Sequence, residues 1–81
     1  MEKITTISRP VEGGETNHEF YAGNVFLGTF SESQLKNWDF RQTLLRAVWK
    51  QFDIQPESHF YELAMCYLFG AIDRIFQPAN A

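Results

Sequence analysis

Residues 19–30 constrain this chain more than any other stretch. Gly23-Asn24 stands between two runs of strand-forming residues, and a two-residue turn requires residues that tolerate positive φ. Such a turn sets a register, with Ala22 opposite Val25, Tyr21 opposite Phe26, Phe20 opposite Leu27 and His18 opposite Thr29. Partners across a hairpin share a face. One face then carries Phe20, Ala22, Val25 and Leu27, and the other carries Tyr21, Phe26 and Phe30. Both are apolar, which is more than a small sheet under one helical layer has to bury. An earlier strand over roughly residues 3–8 adds to the hairpin, with Pro10 and Glu12-Gly13-Gly14 as the intervening loop. Ile4 and Ile7 fall on opposite faces of that strand.

The composition changes near Ser31. Four of the five glycines lie in residues 1–30, whereas residues 31–77 contain only Gly70 and one internal breaker, Pro56. The second part reads as two helices, over residues 31–53 and 56–77. Ser31 followed by Gln34 has the spacing of a capping box, and Asp39 with Gln42 is a second candidate start, so a short turn can precede the main helix. Leu35, Trp38, Leu44, Leu45, Val48, Trp49 and Phe52 share about half the wheel, with both tryptophans in the apolar arc. Arg41 falls inside that arc and has to snorkel or find a carboxylate. Pro56 suits the first turn of the second helix, and Pro78 follows its end. The apolar side of that helix includes Phe60, Tyr61, Tyr67, Leu68, Phe69, Ile72 and Phe76 and spans more than half the circumference. The expected fold is α+β: a two- or three-stranded antiparallel sheet followed by two antiparallel helices, in one domain.

Burying one large apolar side chain is worth about 1.5–3 kcal/mol, and a chain of 81 residues buries only about 60–65% of its unfolded surface. The surplus of apolar faces implies a partner surface, most simply a homodimer formed through the second helix or the outer hairpin face; the alternative is that the helices cover more of the sheet and the second-helix face is core. Hydrophobic residues make up 44% of the chain and charged ones 21%, which excludes intrinsic disorder. No secretory leader or membrane span is apparent, and the expected location is the cytoplasm.

The net charge of −3 excludes a polybasic nucleic-acid tail. The charge is unevenly placed: acidic over residues 1–32, basic over 33–52 and acidic again over 53–81. Lys36, Arg46 and Lys50 form a candidate nucleic-acid or acidic-protein face, although three cations are few. His59, Glu62 and Cys66 share a helix face at spacings of three and four, but one helix would have to supply every zinc ligand, so they read as a solvated strip with a half-buried thiol. Cys66 is the single cysteine, which excludes an intrachain disulfide. Glu62 and Asp73 lie three helical turns apart, about 16 Å, too far for paired catalytic carboxylates. No catalytic signature, metal site or cofactor site emerges, and the chain reads as a non-enzyme.

In size, acidity, aromatic content and sheet-then-helices layout, the chain resembles the short proteins that phages and mobile elements encode to block host machinery, including anti-CRISPR proteins. That resemblance implies stoichiometric inhibition of a host complex. The acidic residues Glu12, Glu15, Glu19, Glu57, Glu62 and Asp73 would meet basic grooves, and Tyr21, Phe26 and Phe30 would anchor. The alternatives are a small nucleic-acid-binding regulator using Lys36, Arg46 and Lys50, and a homo-oligomeric structural subunit.

Overall fold

A computed structural model describes residues 2–77 of the chain. Three strands, β1 (Ile4–Arg9), β2 (Asn17–Ala22) and β3 (Val25–Ser31), precede three helices, α1 (Glu32–Lys36), α2 (Trp38–Gln51) and α3 (Phe60–Ile75). The strands form one antiparallel sheet in the order β1-β2-β3. The α+β class is the expected one, with all three strands formed and three helices where two were expected.

β2 alternates as a half-buried strand should: His18, Phe20 and Ala22 are buried, while Asn17, Glu19 and Tyr21 are partly exposed. The inner face meets the helices, and the core joins Ile4, Phe20 and Ala22 to Leu35, Leu44, Leu45, Leu68, Ala71 and Ile72. Ile4 is buried and Ile7 exposed, which explains why the two isoleucines of β1 lie on opposite faces.

The turn sets the first two hairpin pairs as expected, Ala22 with Val25 and Tyr21 with Phe26. Beyond them the register shifts. Phe20 pairs with Gly28 rather than Leu27, and His18 with Phe30 rather than Thr29, so Leu27 is the extra residue of a β-bulge. One inserted residue exchanges the faces of everything after it. Phe30 therefore lies on the inner side, contrary to the expected outer patch with Tyr21 and Phe26. Its ring packs edge-on against Phe20 and Phe40, with centroids 5.6 and 5.3 Å away. Gly28, at φ +144°, makes the bulge possible, because a Cβ there would stand 2.6 Å from Cζ of Phe30. The Phe30 ring lies across the glycine and fills the space a side chain would take.

The expected first helix is two. Ser31 forms the capping box with Gln34: Oγ of Ser31 accepts from the Gln34 amide, and the Gln34 side chain accepts from the Ser31 amide. α1 then stops at Asn37, whose extended backbone (φ −80°, ψ 119°) ends one helix and whose Oδ1 accepts from Phe40 N–H to begin the next. Asn37, not Asp39, is the second cap. α2 ends with Asp53 in the left-handed region, at φ +52°, and a pair of backward bonds from Asp53 and Ile54 to the carbonyls of Lys50 and Trp49.

Pro56 lies outside α3, in a turn closed by the Ser58 amide donating to Gln55 O at 2.9 Å. α3 starts four residues later than expected, with Ser58 Oγ accepting from the Phe60 amide. Pro78 lies outside the described residues. α3 runs antiparallel to α2. Trp49 stacks on Tyr61 at 3.8 Å and donates its indole N–H to the Tyr61 carbonyl at one end, while Arg41 pairs with Asp73 at the other. Arg41 also donates to the Leu35 carbonyl, so this half-buried cation finds both a carboxylate and a backbone acceptor.

Candidate interaction surface

The helices cover one face of the sheet. The other presents Thr5, Ile7 and Arg9 from β1, Glu19 and Tyr21 from β2, and Phe26 and Thr29 from β3. Tyr21 and Phe26 sit directly opposite with ring centroids 5.4 Å apart. Phe26 keeps 53% of its surface in water and Ile7 keeps 44%. Arg9 pairs with Glu19 at 3.3 Å, and Tyr21 donates its hydroxyl to the same carboxylate at 3.2 Å. An aromatic pair with an adjacent apolar residue and an ion pair at its side is the composition of a protein-binding patch.

Partial burial, then the hydrogen bond to Glu19 and that carboxylate's negative charge, raise the Tyr21 phenol above its ordinary value of 10, with Arg9 opposing. The neutral phenol is the favoured form in the fold. Its contribution to stability is complete below about pH 10 and is lost as pH rises through the folded value. Replacing Glu19 with Gln should lower the Tyr21 midpoint, followed by carbon NMR of the phenol ring. An unchanged midpoint would remove Glu19 as a cause.

Glu15 and Glu19, expected as free acidic contacts, are both engaged inside the chain. Glu19 holds Arg9 and Tyr21, and the Glu15 carboxylate accepts from the amide and hydroxyl of Ser33 in the first turn of α1. That contact satisfies one of the amides a helix start leaves open and fastens the β1–β2 loop to α1. The basic set is dispersed in its contacts. Lys36 places its ammonium 5.5 Å over the Phe76 ring, Arg46 donates to Thr43, and Lys50 is exposed.

On α3, Leu68 and Ile72 are buried, while Phe60, Tyr61, Tyr67, Phe69 and Phe76 are half-buried. The expected dimer face is thus largely turned into the core. What stays open beside Phe69 is Met65 at 36% and Trp38 at 60% exposure. Of the two tryptophans expected in the apolar arc, Trp49 is half-buried against the core, whereas Trp38 is exposed, because the break at Asn37 puts it at the start of α2, where Phe69 covers one side only. Cys66 is exposed rather than half-buried. Among the described residues, no group of three or more His, Cys, Asp or Glu side chains is placed to hold a metal.

Sequence reading missed one cluster. His18, 3% exposed, lies 3.1 Å through Nδ1 from Ser8 Oγ and 2.9 Å through Nε2 from the Glu32 carboxylate. Serine, histidine and carboxylate in this order match the order of an acyl-transfer relay. A general base must also reach substrate, however, and the ring is enclosed by the fold. The cluster ties β1, β2 and the first residue of α1 together. The signal that could have found it is the alternation of β2, which places His18 inward, where a polar ring needs partners.

Comparison with protein-family models, with curated proteins and with solved structures gives no match. Among the described residues, no helix is long and apolar enough to cross a membrane.

Proposed function

We propose that this chain is a non-enzymatic protein-binding module that presents Tyr21 and Phe26 to a protein partner, and that it serves a phage or mobile element as a stoichiometric inhibitor of a host defence complex. The observation that carries the binding mode is the aromatic pair on a sheet face left open by the helices, with Phe26 53% exposed. Aromatic residues are enriched among the few that dominate interface energetics, and truncating such a hot spot costs about 2 kcal/mol or more, roughly thirtyfold in affinity. The inhibitor role rests on the resemblance in size, charge and layout.

The test is affinity capture from a bacterial host lysate, with and without nuclease, using the wild type, Phe26→Ala, and a triple reversal of Lys36, Arg46 and Lys50 to Glu. One stoichiometric protein complex that survives nuclease, weakens at least about thirtyfold with Phe26→Ala and persists in the triple variant supports this reading. Capture that disappears with nuclease and with the triple variant would replace it with nucleic-acid binding. The homodimer expected from the apolar surplus has its remaining open surface at Trp38, Met65 and Phe69. Sedimentation velocity of Trp38→Glu tests it, with a dimer in the wild type and a monomer in the variant as the supporting result.

A further inference from the structure

We propose that the cleft between the free edge of β1 and α3 binds the carboxyl-terminal end of an extended peptide, which would continue the sheet at β1 and place its carboxylate between Lys3 and Arg74. This surface is separate from the Tyr21 and Phe26 face, and the proposal stands or falls without the function proposed above.

The backbone supplies the first part of the argument. β1 is an edge strand. The Gly23 amide donates to the Lys3 carbonyl, which makes Lys3 and Gly23 a hydrogen-bonded pair. Such pairs alternate along an antiparallel ladder, so Thr5, Ile7 and Arg9 direct their amides and carbonyls to β2, and Ile4, Thr6 and Ser8 direct theirs away from the sheet. Among the described residues, no other backbone group pairs with these outward amides and carbonyls. Ile4 is only 1% exposed, which covers its groups, so Thr6 and Ser8 form the open part of the edge. An open edge of this kind recognises one shape, an extended chain, and adds it as a further strand, one that would end where the edge closes at Ile4.

The side chains supply the second part. The cleft, about 310 Å³, is lined by Lys3, Ile4 and Thr5 on the strand side and by Cys66, Tyr67 and Arg74 on the helix side. That volume is at the low end of the roughly 300–1,000 Å³ of ligand pockets, which suits the end of a chain better than a long segment. Two cations line it and no carboxylate does, in a protein whose net charge is −3. Among the described residues, neither Lys3 nor Arg74 forms an ion pair. The Arg74 guanidinium lies back along α3 over Gly70, one turn earlier, with Nη1 3.7 Å from where a Cβ would stand. A chain terminus provides both complements at once, an extended backbone for the edge and a carboxylate for the cations.

The test is selection of random heptapeptides displayed with free carboxyl termini against the full-length chain. Enriched peptides are then synthesised as free acids and as amides and titrated by nitrogen-15 NMR. The expected result is saturable shifts at Thr6 and Ser8, at least tenfold weaker binding of the amides, and a similar loss with Lys3→Glu or Arg74→Glu. Alkylation of Cys66 by N-ethylmaleimide, which places bulk in the cleft, should compete with the peptide. The proposal is overturned if no peptide is enriched, if amides bind as well as acids, or if the shifts map to Tyr21 and Phe26.

Discussion

Gly28→Ala should lower the stability of this domain by about 2–4 kcal/mol, a large share of what a domain of this size has. Two effects act together. At φ +144° an L-residue is strained, typically by about 1–3 kcal/mol. The new methyl would also meet the Phe30 ring at 2.6 Å from Cζ. That ring is not a loose end that can swing aside, because Phe20 and Phe40 hold it from either side. Displacing it forces overpacking, worth about 1–3 kcal/mol. Urea unfolding should show a midpoint lower by at least about 1 M. A double-mutant cycle separates the two effects. With Phe30→Ala already present, the methyl has room, and only the backbone part remains. A coupling of about 1 kcal/mol or more is expected, and simple additivity would mean that Phe30 is not what makes Gly28 necessary.

His18→Ala should cost about 2–4 kcal/mol by the same measurement. The substitution opens space in a buried site and removes two hydrogen bonds at once. The Glu32 side chain, 35% exposed, can recover part of its loss from water, which keeps the estimate below that for a wholly buried pair. Ser8→Ala removes one contact of the three-element tie and should cost about 0.5–1.5 kcal/mol. Glu32→Gln retains an acceptor and should cost less than His18→Ala. If His18→Ala unfolds within about 0.5 kcal/mol of wild type, the cluster is not a structural tie, and the enclosed relay geometry would have to be reconsidered as chemistry.

Much of this architecture was legible because it is local. The Gly23-Asn24 turn, the first two pairs of the hairpin, the Ser31 capping box and the amphipathic face of α2 each depend on residues within a few positions of one another. The need of Arg41 for a carboxylate was legible from its place in an apolar arc, though its partner, Asp73, was not. The bulge was not legible, because both registers satisfy the turn. They exchange the faces of all residues past Leu27, and above all decide whether Phe30 faces water or the ring pocket that Phe40 completes from α2. The helix break was visible only as two candidate starts, Ser31 and Asp39, and that Asn37 rather than Asp39 caps α2 was not legible, since both are competent caps. The partner-binding reading changed for the same reason: alternation alone placed Phe30 outside and left Glu15 and Glu19 free, while the assembled fold takes Phe30 inward and pairs both carboxylates.

By itself the sequence determined the α+β class, the order of strands before helices, and an aromatic pair at Tyr21 and Phe26 sharing a face, because turn chemistry and side-chain periodicity are short-range. Only the tertiary structure decided which apolar faces are covered, where the register slips, that His18 links three elements, and that β1 keeps a free edge beside two cations. Those outcomes follow from which distant surfaces meet. The free energy that selects among them lies in contacts between residues far apart in the chain.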